Sequence, residues 1–190
     1  NVFVGGYTQS MDLPGTIGGA QATNSNRDDA FVAKLNNGLT TLIQATYLGG
    51  GGWDYAVALA LDASGNVFAA GPTDSSNFPG TAGGAQAASG GSNDAFVAKL
   101  NNGLTTLIQA TYLGGSDREE AWALALDGSG AVFVSGDAHS SNFPGTAGGA
   151  QAIPALGGCG PYPGRVVCDA FVAKLSPSLR LVDPSPATTP

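Results

Sequence analysis

The stretch DAFVAKLNNGLTTLIQATYLGG, residues 29–50, decides the fold because it recurs without a single change at residues 94–115. The opening NVFVGGYT at Asn1 returns as NVFAAGPT at Asn66 and as AVFVSGDA at Ala131. Copies that recur at a fixed step of 65 residues are typical of modules that pack side by side. The sequence therefore predicts a repeat architecture. It also disfavours an enzyme, since most polar residues of the repeated blocks occur two or three times.

The composition narrows the class of protein further. Only 11% of the 190 residues are charged, against roughly 25% in an average domain, and 30 residues are glycine. No apolar run approaches the ~20 residues that cross a bilayer, so we expect no membrane span. The net charge of −7 argues against nucleic acid as a partner, because nucleic acids select basic surfaces. Many short apolar blocks between glycines indicate an all-β fold with tight turns.

Each repeat unit reads as four short strands. In unit order these are NVFV, DAFVAKL, TLIQATYL and AVALALD or AWALALD. The last could be mistaken for a helix, but its large residues alternate and glycines flank it, which favours a strand. The NNG after DAFVAKL predicts a two-residue hairpin turn, because Asn and Gly tolerate positive φ. The ASG or GSG after the fourth strand predicts a turn directly into the next NVF strand.

The repeat divides the chain into units at 1–65 and 66–130 and a partial unit at 131–175. A Gly-rich segment of about 20 residues joins the first and second strands of each unit, and its recurring FPGT and GGAQ pieces indicate a packed loop. In the third unit this loop carries an insert at 153–168. We expect the Pro-rich segment 176–190 to be an extended tail or linker.

Two cysteines, Cys159 and Cys168, lie nine positions apart inside the insert. Their spacing does not fit a CxxC redox or zinc pair, and no histidine or third cysteine is close in sequence. We therefore predict a local disulfide, which would contribute about 2–3 kcal/mol to ordering the loop. A disulfide places the protein outside the reducing cytosol, so we expect it to be extracellular or at the cell surface.

Several of these blocks together resemble the SBBP repeat, a β-propeller repeat of exported and cell-surface proteins of bacteria and archaea. The matching pieces are DAFVAKL, the TYLGG strand end, the ALDxSGNVF turn, and the SxNFP segments at 75–79 and 140–144. The resemblance spans nearly all of residues 1–175, except the insert. It implies tandem four-stranded antiparallel units of β-propeller type, and it implies no single activity. An open β-solenoid-like stack is the alternative.

The number of units bears on assembly. Propellers generally close with 4–8 blades, and this chain carries about two and a half units. The chain is then a piece of a longer propeller, or several chains build one ring, or open ends stack head to tail into a filament. Nearly identical units favour repeated, equivalent contacts between copies, although a recent tandem duplication explains the identity equally well.

Acidic residues offer the clearest candidates for chemistry. The turn GGSDREEA brings Asp117, Glu119 and Glu120 close in sequence, as a calcium site with oxygen ligands requires. Its counterpart in the preceding unit has only Asp54, so we favour a solvated turn instead. Three acids begin the DAFVAKL strands, and we expect them to accept hydrogen bonds from loop amides: Asp29, Asp94 and Asp169. The lysines of the same strands should snorkel from a strand face or pair with these acids: Lys34, Lys99 and Lys174.

The remaining candidates are few. His139 is the only histidine, which excludes a histidine cluster, and no serine sits in a GxSxG elbow. Trp122 replaces Val57 within a strand, so we expect it in the core. Trp53 lies in a Gly-rich turn, where an exposed indole can stack on a sugar or insert into a neighbouring subunit.

These observations predict a non-enzymatic extracellular protein without a cofactor, structural or adhesive, that associates with itself through open repeat ends. The alternative is a glycan- or protein-binding module of a longer cell-surface propeller, with Trp53 as its contact. A lyase or hydrolase is disfavoured, because no acid–base pair stands out from the repeat.

Overall fold

The computed structural model describes residues 1–25, 27–152, 161–162, 165–166 and 169–182. These residues form β-strands joined by loops, all paired antiparallel, and contain no helix. The predicted all-β class is thus confirmed. The disulfide predicted between Cys159 and Cys168 lies outside the described residues.

Most of the strands fall within the repeated blocks. Their bounds are β1 Val2–Thr8, β2 Asp29–Leu35, β3 Leu42–Leu48, β4 Ala58–Leu61, β5 Val67–Thr73, β6 Asp94–Leu100, β7 Leu107–Leu113, β8 Glu119–Leu126, β9 Val132–Ala138, β10 Pro161–Tyr162, β11 Arg165–Val166 and β12 Asp169–Leu175. The fourth block of the repeat forms strands β4 and β8, as its alternating pattern predicts.

The strands build three sheets and one short ribbon. Sheet I has the order β1-β2-β3, sheet II the order β4-β5-β6-β7, and sheet III the order β8-β9-β12; β10 and β11 form the ribbon. Sheet II takes β4 from the end of one repeat unit and its other strands from the next. The sheets therefore straddle the unit boundaries at residues 65 and 130. Each shared sheet ties consecutive units together through backbone hydrogen bonds.

Successive sheets pack face to face. One apolar cluster joins Ala30 and Val32 of sheet I to residues such as Phe96 of sheet II. A second joins Val97 of sheet II to residues such as Phe171 of sheet III. Because side chains alternate along a strand, β6 has two apolar faces and both are buried. We call the face toward the preceding sheet the leading face and the face toward the following sheet the trailing face.

The two outermost faces are uncovered by other described residues. On the leading face of sheet I, Val2 and Val4 are exposed, whereas Val67, the counterpart of Val2 in sheet II, is fully buried. On the trailing face of sheet III, Val172 is 78% exposed, whereas its counterpart Val97 is 0% exposed. Each face is buried where a neighbouring sheet covers it.

The turn after DAFVAKL differs from the predicted two-residue hairpin. It spans six residues, from the end of β2 at Leu35 to the start of β3 at Leu42. Its positive φ falls on a leucine rather than on Asn or Gly, and this holds in all three copies: Leu39, Leu104 and Leu179. The Asn36 carboxamide oxygen accepts hydrogen bonds from the amides of Thr40 and Thr41, which closes the wider loop.

In sheets II and III this leucine joins adjacent sheets. Leu104 is fully buried, and its carbonyl accepts a 2.9 Å hydrogen bond from the amide of Ala20 in the loop of sheet I. Leu179 repeats this contact with Ala85 of sheet II at 2.8 Å. Leu39, which has no preceding sheet among the described residues, is 60% exposed.

The Gly-rich loops of sheets I and II pack, as expected, on the edge strands β3 and β7. The hydroxyl of Tyr112 accepts a hydrogen bond from the Phe78 amide at 2.8 Å and donates one to the Ser75 carbonyl at 2.7 Å. Tyr47 holds the equivalent loop of sheet I in the same way. One tyrosine on β3 and one on β7 thus fix the starts of these two loops.

Residues 176–182 do not belong to an extended tail. They repeat the turn of the earlier units, with Leu179 buried and Leu181 bridged to Leu175 at the end of β12. The prolines of this segment led to the prediction of a tail, but Pro177 is accommodated beside the amides of Ser176 and Leu179, which donate the hydrogen bonds of the turn.

Candidate functional site

The indole of Trp53 lies at the junction between sheets I and II. The ring is 49% exposed, and the guanidinium carbon of Arg27 lies 5.8 Å from its centroid. The backbone fixes its position: the Trp53 amide donates to the Asp74 carboxylate, and the Trp53 carbonyl accepts a 3.0 Å hydrogen bond from the Asp74 amide. The turn therefore presents the ring to solvent on a well-anchored backbone.

Two tyrosines adjoin this turn. The rings of Tyr7 on β1 and Tyr55 lie 4.4 Å apart between centroids at an angle of 52°. The Tyr55 hydroxyl donates a 3.2 Å hydrogen bond to the carboxylate of Asp28, next to Arg27 in sequence. Burial, followed by the charge of Asp28, raises the pKa of Tyr55 above its usual value, so its hydroxyl stays a donor. We call Tyr7, Arg27, Asp28, Trp53 and Tyr55 the aromatic cluster.

The residues of the aromatic cluster do not recur in the next repeat unit. At the junction of sheets II and III the counterparts of its five residues carry different chemistry: Pro72, Ser92, Asn93, Arg118 and Glu120. Arg118 and Glu120 form an ion pair there, with the Arg118 side chain exposed and the Glu120 side chain partly buried. The strands beneath are nearly identical in the two places, although Pro72, the counterpart of the exposed Tyr7, is buried.

Trp122 lies outside the core, contrary to the prediction from its position within a strand. It is 46% exposed, and its indole N–H donates a 3.0 Å hydrogen bond to Asp137. The pairing of β8 with β9 shifts register between Ala121 and Ala123, so Trp122 is the extra residue of a β-bulge. A bulge leaves that residue unpaired and reorients its side chain, which the alternating pattern does not reveal.

The three carboxylates of the acidic turn after β7 have different surroundings, and they do not form a common site. Asp117 is exposed and Glu120 pairs with Arg118, but Glu119 is fully buried. The Glu119 carboxylate accepts hydrogen bonds from the amides of Gly115 at 2.7 Å and Ser140 at 2.9 Å. The predicted solvated turn is therefore wrong for Glu119, which joins the loops of sheets II and III.

Asp54 has the equivalent role in the preceding repeat. It is fully buried and accepts hydrogen bonds from the Gly50 amide at 2.9 Å, from the Ser75 hydroxyl at 2.8 Å and from the Thr73 hydroxyl. Burial raises the pKa of Asp54 to about 6 despite these donors, and the neighbouring Asp29 adds to the increase. The shared role of these two positions was not predicted, although an acid 65 residues from another acid was a usable signal in the sequence.

The strand-starting aspartates lie beside these acids. Asp29 accepts hydrogen bonds from the Ser25 amide at 3.0 Å and from Gln21, and Asp94 accepts one from the Gly90 amide at 2.8 Å. The expected contacts to loop amides are thus confirmed for both. Burial raises the pKa of both carboxyls. Asp94 Oδ1 is buried with no hydrogen-bond partner in the described part of the chain.

A glycine separates each pair of buried carboxyls. A side-chain carbon at Gly49 would lie 2.6 Å from Asp54 Oδ2 and 3.0 Å from Asp29 Cγ. At Gly114 it would overlap Asp94 Oδ1 and lie 2.8 Å from Glu119 Oε2. Each junction therefore contains two buried acids that meet across a glycine, and the charge of the neighbouring acid adds to the raised pKa of Asp54 and of Asp94.

The repeated lysines do not pair with these acids. The three ammonium groups lie over phenylalanine rings of the adjacent strand, at 4.9–5.4 Å from the centroid: Lys34 over Phe3, Lys99 over Phe68 and Lys174 over Phe133. Lys99 also pairs with Asp62 at 3.3 Å. The lysines thus cover apolar rings and make polar contacts at strand ends, and they do not form ion pairs with the buried carboxyls.

One cavity lies at the junction of sheets I and II, and another lies at the edge of sheet III. The first, of about 430 Å³, lies between the loops of sheets I and II and is lined by Gln21, Tyr47 and Asn77 among others. The second, of about 390 Å³, lies beside β12 at Phe143, Phe171 and Leu181. Within the described ranges, no three His, Cys, Asp or Glu side chains converge as a metal site would require.

The chain matches none of the protein-family models and none of the curated proteins against which it was compared. Among the described residues, no helix is long and apolar enough to cross a membrane.

Proposed function

We propose that this chain is a non-enzymatic structural repeat protein that associates with further copies of itself through its two terminal sheet faces. The contrast between Val97 and Val172 carries the proposal: they occupy the same strand position, and only the one without a following sheet is exposed. Val2 and Val67 show the same contrast on the leading face. The two open faces are therefore the two halves of a junction that the chain already forms twice.

We further propose that the sheets are blades of a propeller-type assembly. Support comes from the shared sheet, whose first strand belongs to the preceding repeat unit, and from the resemblance of the repeated blocks to SBBP repeats. Closed propellers have 4–8 blades, so the three described sheets would need at least one more sheet to close a ring. A head-to-tail contact of this kind closes into a ring or extends into a filament, depending on the rotation per copy.

The use of the polar residues supports a structural role. The carboxyls of Asp54 and Glu119 are occupied by amides and hydroxyls of neighbouring loops, and the lysines cover aromatic rings. These groups join one unit to the next. The low charge, the two cysteines and the resemblance support a location outside the cell.

Sedimentation velocity over a range of chain concentrations tests the proposal. We expect concentration-dependent assembly, and we expect Val172→Asp to weaken it at least tenfold, because a carboxylate in a junction that buries valine completely would be desolvated. Ile17→Asp is the matched control. Ile17 is nearly fully exposed, and its counterpart Ala82 is exposed even within sheet II. A wild-type chain that stays monomeric at every concentration, or equal assembly of both variants, would contradict the proposal.

A further inference from the structure

We propose that the aromatic cluster is a carbohydrate-binding site that takes a neutral saccharide. The cluster lies at the junction of sheets I and II, on the trailing side of sheet I, and is separate from the terminal faces at Val2 and Val172. Binding there is therefore independent of self-association, and either property can fail without the other.

The members of the cluster form one continuous patch. The Arg27 guanidinium lies over Trp53, Asp28 accepts a hydrogen bond from the hydroxyl of Tyr55, and the Tyr55 ring packs at a tilt against Tyr7. Tyr7 and Trp53 are exposed, and Tyr55 is half-buried. The surface thus offers the exposed rings of Tyr7 and Trp53, together with the half-buried ring of Tyr55.

The chemistry of the patch matches that of a sugar. A sugar ring presents an apolar C–H face together with hydroxyl groups around its edge. Aromatic rings supply a rigid apolar surface for the face at little cost in conformational entropy. The carboxylates of Asp28 and Asp74 can accept hydrogen bonds from hydroxyls, and Arg27 can donate them. Because charged groups alternate with the rings, the patch lacks the continuous apolar area that a protein partner would bury.

The other junction shows that the fold does not require these residues. The framework residues of the two junctions are the same or equivalent, as with Asp54 and Glu119, but all five positions of the aromatic cluster differ. If these residues had only a structural role, either set would suffice, because both junctions bury equivalent strands. Three of the five positions carry aromatic rings at one junction and none does at the other, which indicates a ligand at the first junction only.

Tryptophan fluorescence provides the test, with cellotetraose, chitotetraose and laminaritetraose as probes. In the Trp122→Phe variant only Trp53 reports, because the chain has two tryptophans. We expect at least one probe to change the emission of Trp53 saturably. Tyr7→Ala in that background should weaken binding at least tenfold, which corresponds to ~1.4 kcal/mol. Asp28→Asn is a second test that keeps the size of the side chain.

The Trp53→Phe variant is the control. Its remaining reporter, Trp122, is exposed to a similar degree, 46% against 49%, but lies at the other junction. We expect no saccharide to change its emission. The proposal is overturned if no probe affects Trp53 up to ~10 mM, where even weak millimolar binding would register. It is also overturned if Tyr7→Ala and Asp28→Asn both fold, as judged by thermal unfolding, and bind as well as the parent.

Discussion

Asp54 and Glu119 lie one repeat apart, and each accepts a hydrogen bond from the amide of a glycine four residues earlier, at 2.9 Å from Gly50 and 2.7 Å from Gly115. Both are fully buried, although their side chains differ in length. An acid at this position closes the loop that leads from one sheet to the next. Because burial raises the pKa of Asp54, the stability of the stack is coupled to the protonation of that carboxyl.

This coupling predicts a stability that falls as the pH rises from about 4 to about 6. The pKa of Asp54 is raised from 3.8 to about 6, so the folded chain binds more protons than the unfolded chain within this window. Below pH 3.8 both states are protonated, and above pH 6 the folded state carries a buried charge that costs up to ~3 kcal/mol. The raised pKa values of Asp29 and Asp94 act in the same direction. Urea unfolding at a series of pH values measures the effect.

Asp54→Asn should reduce this slope and leave the smaller contribution of Asp29 and Asp94. The Thr73 hydroxyl can turn to accept a hydrogen bond from the new amide, so the variant is expected to fold. The exposed Asp117→Asn is the control and should leave the slope unchanged. A stability that rises between pH 4 and pH 6 in the wild type would show that the buried carboxyls are ionised more easily than we infer.

A second prediction concerns the glycine between each pair of acids. Gly114→Ala should destabilise the chain by more than ~2 kcal/mol, because the added carbon overlaps Asp94 Oδ1 and crowds Glu119. Thermal unfolding measures this. Gly128→Ala is the control: nothing lies within 4 Å of the added carbon, so we expect no loss and a gain of up to ~1 kcal/mol. Equal effects of the two substitutions would mean that the acids move aside freely.

A third prediction concerns the tyrosine that fixes each loop. Tyr112→Phe removes a buried hydroxyl that bonds the Phe78 amide and the Ser75 carbonyl, and leaves both groups without that partner. We expect a loss of ~1–3 kcal/mol in the free energy of unfolding. Tyr55→Phe, which loses a single and more exposed hydrogen bond to Asp28, should cost less. Chemical denaturation of the two variants side by side decides this, and a larger cost for Tyr55→Phe would contradict it.

Much of the fold was predictable from local pattern. The strands follow from alternation and flanking glycines, and the turn between Asp62 and Asn66 follows from the ASG between them. The packed loops follow from the recurrence of their pieces. These features depend on neighbours in sequence, which a repeat displays several times.

What could not be predicted depends on contacts between distant residues. Strand β4 pairs with β5 of the next repeat unit, and the alternating pattern within a strand does not predict which strands pair. The outward position of Trp122 results from a bulge against β9, and the burial of Glu119 results from the approach of sheet III. Only one member of the aromatic cluster, Trp53, could be singled out from the sequence. Tyr7 and Asp28 are distant from it in sequence and come close only in the folded chain.

The leucine turns give a prediction that separates stability from association. Leu39 has a φ of 56° and is exposed, so Leu39→Gly should remove backbone strain and cost little packing. We expect the free energy of unfolding to stay equal or to rise by up to ~1 kcal/mol. Leu104→Gly has the same backbone geometry but empties a fully buried site, so it should cost ~2–5 kcal/mol.

If the leading face of sheet I receives another copy, Leu39 should insert there as Leu104 does against sheet I. Leu39→Gly would then weaken self-association in sedimentation while the folded monomer stays as stable as the wild type. Ile17→Gly, a change of similar size at an exposed loop position away from the faces, should not weaken it. Unchanged assembly of Leu39→Gly would mean that the copies do not meet through the junction that the chain forms internally.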